Sequence, residues 1–300
     1  MKTKGVLLVL IGAASFGLTP IFVKTGFEYG YSLGQLNISQ MIIAFLLLWG
    51  MSLLKGLSVK SISNVDRMKV IATGTSVGLT SIFYYGAMQY LPASLAIILL
   101  FQFVWIGMIY EWMFSKSRPT AINIFSMFVT LTGVLFASNI IGGNVFEMSP
   151  MGLFLGLLSG FSYAGFIFFS GQVAINSHPI LRSSLMISGS LILVLLVFFQ
   201  DVSSLHLYDG RLWLIGAGIA LVGAVIPPLF FAGGAPLISG RLANVLSSIE
   251  LPVAIVAAMV VLSETVTLLQ WVGIMLIIMA MIINELGAYL LNVLGKRRAK

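Results

Sequence analysis

The chain has 300 residues, of which 59% are hydrophobic and only 8% charged, with a formal net charge of +7 and a mean hydropathy of +1.07. Soluble domains carry about a quarter of their residues as Asp, Glu, Lys and Arg, so a water-soluble globule is excluded. Apolar stretches recur along the whole length and leave no hydrophilic block long enough to fold alone. Cysteine is absent, which removes disulfides, thiolate chemistry and cysteine-ligated metals.

A membrane-spanning helix needs about 20 apolar residues. By that measure the sequence predicts an all-α polytopic membrane protein with ten transmembrane helices: Gly5–Val23, Gly34–Leu54, Val70–Tyr90, Ala93–Phe114, Thr120–Ser138, Met151–Ser170, Ile180–Phe199, Leu212–Ala232, Ala243–Leu262 and Leu268–Leu290. Tyr90-Leu91-Pro92 leaves almost no loop between the third and fourth spans, which predicts a tight hairpin. Lys2 and Lys4 precede the first span as in a signal peptide, but no small-residue cleavage site follows, so it reads as an uncleaved helix.

Cytoplasmic loops retain Lys and Arg. With the N-terminus inside, all sixteen basic residues except Lys24 and Arg211 fall on the inner side, so both ends of the chain are expected in the cytoplasm of a cell-membrane protein. The same bias accounts for the basic pI without a nucleic-acid partner. The lipid bilayer is the expected surroundings, with the chain acting as a monomer or homodimer.

Glu250 lies in the middle of the ninth apolar span. A central acidic residue costs about 2.5–3.5 kcal/mol on insertion scales, so it is expected to face a polar cavity or a partner and is a functional-site candidate. Either it binds a cationic group or cycles a proton, or it is a structural carboxyl accepting local hydrogen bonds. Asn244, Ser247 and Ser248 on the same span share a face at i, i+3 and i+4, and Glu250 borders that polar stripe.

The two halves look alike. Ser15-Phe16-Gly17 matches Ser162-Tyr163-Ala164, Gly86-Ala87 matches Gly234-Ala235, and Gln102 falls opposite Glu250, at offsets of 147 or 148 residues. Five spans per half is odd, so residues 1–144 and 145–300 are expected to insert as inverted repeats, an architecture used by secondary transporters with the substrate near the midplane. Pro227 and Pro228 in the eighth span and Pro252 in the ninth are expected to bend or break their helices. Gly152, Gly156, Gly160 and Ala164, and Gly74 with Gly78, are spaced for close helix packing.

The run Ala243-Asn244-Val245-Leu246-Ser247-Ser248-Ile249-Glu250-Leu251-Pro252-Val253-Ala254, followed by Leu262-Ser263-Glu264 and Gly273, resembles the second-repeat signature of the EamA-like members of the drug/metabolite transporter superfamily. Ser15-Phe16-Gly17 with Lys24, and the hairpin Tyr85 to Ser94, are similar to the corresponding places in the first repeat. This chain has Glu250-Leu251-Pro252 where that family has Glu followed directly by Pro, and Gln102 where an acid would make the repeats symmetric. The resemblance implies ten helices in two inverted repeats and export of metabolites or toxic small molecules.

Phe101 and Trp105 flank Gln102 at i and i+4, a spacing for an aromatic wall against a small-molecule substrate or for plain packing. Lys24 either attracts an anionic substrate group, the family-like inward reading, or snorkels to the surface. Tyr84, Tyr85 and Tyr90 read as interfacial anchors. His178 and His206 fall in opposite loops and share no metal site. The chain has no phosphate-binding Gly-x-x-x-x-Gly-Lys-Ser/Thr run and no hydrolase motif. No metal, cofactor or catalytic residue is therefore expected. The open alternatives are a proton-coupled exporter, an uncoupled carrier or uptake permease, and a non-transporting membrane partner.

Overall fold

The computed structural model describes residues 2–91, 93–138, 149–261 and 265–298. All regular structure among them is helical: α1 (Lys2–Phe16), α2 (Thr19–Glu28), α3 (Leu33–Leu54), α4 (Asn64–Met88), α5 (Ala93–Leu100), α6 (Phe103–Ser115), α7 (Ala121–Ala137), α8 (Pro150–Ser170), α9 (Pro179–Val197), α10 (Gly210–Ile219), α11 (Ile226–Gly234), α12 (Gly240–Ser247), α13 (Glu250–Val261) and α14 (Leu268–Arg298). Seven stretches are long and apolar enough to cross a membrane, and α7 and Leu268–Asn284 are shorter apolar helices. The 25-residue α4 is long enough, at about 1.5 Å per residue, but is diluted by Gly, Ser and Thr. The expected boundary at residue 144/145, Pro92 and the motif residues Leu262, Ser263 and Glu264 lie outside the described residues.

Local chemistry sets the helix starts. Ser32 accepts the Gln35 N–H at 3.1 Å while Gln35 Oε1 accepts the Ser32 N–H at 2.9 Å, a reciprocal cap that satisfies two donors otherwise orphaned at the start of α3. Pro150 and Pro179 open α8 and α9, where a missing N–H costs nothing.

The helices pack side by side: α4 against α8 and α9, α1 against α11 and α12, α3 against α9 and α10, and α7 against α14. A Cβ on Gly74 would fall on the Met186 backbone of α9, and Ser190 Oγ donates to the Gly74 carbonyl at 2.6 Å. The small-residue spacing read from the sequence therefore marks backbone contact. Overpacking such a seam costs about 1–3 kcal/mol, so Gly74→Val is expected to lower the thermal midpoint in detergent; an unchanged midpoint would show that α4 and α9 separate freely.

One end of the bundle, the basic end, gathers the C-terminus of α6 and the N-terminus of α12, with Lys116, Arg118 and Arg241 close by. At the opposite end, Ser32 Oγ donates to Asp201 at 2.8 Å and the Tyr31 hydroxyl donates to both Asp209 oxygens at 3.0 and 2.9 Å. Asp209 also caps α10 by accepting the Leu212 N–H at 3.1 Å. That backbone bond first, then Tyr31 and Arg211, hold the Asp209 carboxyl below its ordinary value, while burial first, then the Asp209 contact, raise the Tyr31 phenol. A carboxyl lowered by folding contributes stability above its unfolded value of about 3.9, and this contribution is lost as pH falls through the lowered folded value. Thermal midpoints followed against pH should show an acid-side decline that is reduced in Asp209→Asn.

Candidate functional site

Three of the apolar spans are interrupted where they meet at the centre of the bundle. Pro252 offers no N–H, and its ring would collide with the Ser248 carbonyl four residues earlier. The helix accordingly stops at Ser247, the Ser248 and Ile249 N–H groups turn to Val245 and Leu246 at 3.1 and 3.2 Å, and α13 restarts at Glu250. The expected ninth span is thus two helices with the carboxylate at the junction.

The fourth span breaks at Phe101–Gln102 without any proline. Here the Gln102 N–H turns to Leu99 at 3.2 Å, its side-chain Nε2 donates to the Ile98 carbonyl at 3.0 Å, and its Oε1 accepts the Trp105 Nε1–H at 2.7 Å. The side-chain amide thus replaces the backbone donor that the break removes. The first span breaks at Gly17–Leu18, between α1 and α2. A Cβ on Gly17 would meet the Glu250 carbonyl, so only glycine admits this approach of α1 to the head of α13.

Pro227 and Pro228 do not break the eighth span. The six residues Ala220–Val225 form a π turn between α10 and α11, which accommodates the rings by loosening the backbone one turn upstream. Ser15 Oγ of α1 donates to the Val222 carbonyl of that turn at 3.0 Å.

Between these irregularities lies a cavity of ≈ 10 Å³, lined by Phe16, Gln40, Met41, Val77, Thr80, Ser81, Tyr85, Tyr163, Phe166, Gly223 and Pro227. That volume is about the minimum for one water. All the lining residues are buried. Its polar rim is hydrogen-bonded in two groups: Ser81 donates to Asn37 Oδ1 at 2.7 Å and the Tyr85 hydroxyl to Gln40 at 3.3 Å, Gln40 in turn reaching Asn37 at 3.5 Å, while Thr80 separately donates to Ser162 at 3.1 Å. Pairing of this kind is what makes polar groups tolerable at depth.

Glu250, only 2% exposed, does not line the cavity. Its carboxylate accepts the hydroxyl hydrogen of Tyr163, and Tyr163 does line it. The Tyr163 ring is wedged between Phe16, stacked at 5.1 Å, and Phe103, edge-on at 5.0 Å. Ser247 also approaches the Tyr163 hydroxyl.

The polar stripe is therefore only partly gathered at the centre. Asn244, Ser247 and Ser248 are all fully buried. Asn244 Nδ2 donates to Gly240 at 2.8 Å and its side chain packs where a Cβ on Gly107 would be, so it lies toward the basic end, against α6. Phe101 and Trp105 do not form a shared wall: the break between them leaves Phe101 buried against Phe103, while Trp105 is partly exposed beside Phe161. Gln102 is spent on its own helix and Trp105. Lys24 is exposed and takes no part in the central cluster, contrary to the inward arrangement. Tyr84 and Tyr85 are fully buried rather than interfacial.

Sequence reasoning missed Tyr163, Gln40, Asn37 and the α4 hydroxyls as site residues. The i, i+3 pair Asn37 and Gln40 within an apolar span was the readable signal, by the same cost argument that singled out Glu250. It also missed the closure of the basic end. There Arg241 pairs with Glu111 at 3.5 Å and donates through Nη1 to the Ser117 and Arg118 carbonyls at 3.2 and 2.8 Å, while Glu111 accepts the Arg241 N–H.

The sequence profile described as the EamA-like transporter family matches twice, over residues 3–139 and 150–285. An uncharacterized inner membrane transporter of Salmonella typhimurium, YicL, is 23% identical over 293 residues, spanning 95% of this chain and 96% of the relative. A protein of known crystal structure superposes with a TM-score of 0.79 at 14% identity, covering 97% of this chain and 99% of its own; at that identity the likeness concerns the fold alone.

Proposed function

Because this chain belongs to the EamA-like transporter family, and so is a multi-pass membrane transporter rather than an enzyme, we propose that it is a secondary transporter exporting small organic solutes, amino acids or their relatives, across the inner membrane by alternating access. The observation that carries this reading is the secluded cavity, walled by Phe16 to Tyr85 from the first half and by Tyr163 to Pro227 from the second.

Further features support ten spans arranged as two inverted repeats, residues 1–144 and 145–300. The profile matches each half once. The breaks at Gln102 and Glu250 fall 148 residues apart. Neighbours also pair as exchange of the halves requires: α4 with α8 and α1 with α11, α3 with α10 and α9 with α4, α7 with α14. The Lys and Arg distribution supports a cytoplasmic basic end with both chain ends on that side.

The test compares metabolites in medium and cytoplasm for cells producing the wild type, Glu250→Gln or no transporter. One class of solute enriched outside with the wild type alone supports export and names the substrate. Three matching profiles remove export of native metabolites. An uncoupled carrier is the second reading, favoured by one observation: Glu250 stands behind Tyr163 instead of in the cavity wall. Flux into proteoliposomes that is indifferent to an imposed pH gradient would decide for it.

A further inference from the structure

The geometry points to Tyr163 as a positioning residue that relays the protonation state of Glu250 to the central cavity. This deepens the transport reading and rests on it. The cavity touches Tyr163 but not Glu250, and the hydroxyl of Tyr163 is bonded to that carboxylate. Anything in the cavity therefore meets the carboxyl through one phenol. The groups that face the carboxyl and its phenol are few: Tyr163 from α8, Tyr84 from α4, and Ser247 of α12 at the Tyr163 hydroxyl. No Lys or Arg pairs with it among the described residues.

A phenol has one hydrogen to donate and lone pairs to accept, and this decides what the cavity sees. When Glu250 is ionised it can only accept, so the Tyr163 hydrogen is committed to it and the phenolic oxygen presents an acceptor to the cavity. When Glu250 is protonated its own O–H donates to Tyr163, and the Tyr163 hydrogen is released to turn toward the cavity. One proton on the carboxyl thus converts the wall from acceptor to donor, with no charge entering the cavity. The ring cannot swing away to evade this role, because Phe16 and Phe103 hold it from two other helices. A bound solute carrying an acceptor would be gripped in the protonated state, and one carrying a donor in the ionised state, which links binding to the proton.

The experiment is pH-difference infrared spectroscopy of the purified full chain in lipid nanodiscs, with no ligand added, following the carboxylic C=O band and its shift on transfer to heavy water. Glu250→Gln assigns the band by removing it. In Tyr163→Phe, which keeps the ring and its packing, the band is expected at higher wavenumber for want of its hydrogen-bond partner. Exchange of the carboxyl proton for deuterium should slow by an order of magnitude, since the route from the cavity is gone. An exchange rate equal to that of the wild type, whatever the band position, overturns the proposal; so does a wild type with no titrating band that Glu250→Gln removes. The spectrum needs no substrate, so its failure would leave export itself standing, whereas absent export with a normal spectrum would remove the function and leave the relay.

Discussion

Glu250→Gln is expected to insert and fold as the wild type does while losing the pH dependence of flux, with gradient-driven transport falling to the level of membranes lacking the protein. The amide has the shape of the carboxyl and can still accept the Tyr163 hydroxyl through its oxygen, so the central packing and the restart of α13 are retained. What it lacks is a proton to gain and lose. Glu250→Ala is different in kind, because it strands the Tyr163 hydroxyl inside the bundle, and an unsatisfied buried group costs about 1–3 kcal/mol. The pair of variants separates coupling from stability: Gln should abolish the pH profile at full thermal stability, and Ala should lower both. Flux measured in proteoliposomes at several internal and external pH values, beside a melting curve, is sufficient. A Gln variant whose pH profile matches the wild type would take Glu250 out of the coupling step.

Arg182→Met is expected to give the largest loss of stability. Arg182 is the third residue of the expected seventh span, and in the structure it is fully buried within α9. Its Nη1 donates to the Ala232 carbonyl at 2.7 Å and its Nη2 to the Ser170 carbonyl. Ser170 is the last residue of α8, and Ala232 lies in the last turn of α11, so a single guanidinium closes two helix C-termini where backbone dipoles favour a cation. No carboxylate pairs with it among the described residues. Methionine preserves much of the stem volume but leaves both carbonyls without that donor, at about 1–3 kcal/mol each. Against a typical stability of about 5–15 kcal/mol that is a large share, and a clear fall in melting temperature and folded yield should follow. Arg182→Lys retains the charge but not the planar fork that spans both carbonyls, so an intermediate loss is expected. A melting temperature indifferent to either change would mean that these carbonyls are satisfied some other way.

The polytopic membrane class was legible because apolar runs of the needed length are a composition signal, and seven such stretches stand among the described residues; Glu250 stood out because its cost in that setting is so high. Pro252 announced the break beside it. Other central features had no such mark. The break at Gln102 depends on a side-chain amide bonding a carbonyl four residues back, and Gln at a helix position ordinarily implies nothing of the kind. Two adjacent prolines predicted a bend or a break, and of the two the span shows a deformed π turn at Ala220–Val225 without a break. Tyr163 was visible only as half of a repeat match, since its partner lies 87 residues away in sequence and only the packing of α8 against the junction of α12 and α13 brings them together. The wall of Phe101 and Trp105, one of two readings beside plain packing, assumed an unbroken helix, and the fourth-span ring against Tyr163 is Phe103, which the i, i+4 spacing did not select. Lys24, open between an inward role and the surface, is exposed, and Arg182, counted only as an inner-side cation, is interior; chain position alone carries neither outcome.

The small central cavity also bears on how affinity is to be understood. A space for about one water holds no amino acid, so on the proposed transport function the conformation described here would be one that does not bind. The apparent dissociation constant is then the intrinsic one divided by the fraction of molecules that are open. On that function, a change that loosens the Glu111–Arg241 contacts at the basic end would raise that fraction and tighten apparent binding without adding a contact to the solute. Selectivity at equilibrium would for that reason be a property of the contacts that close the bundle as much as of its pocket.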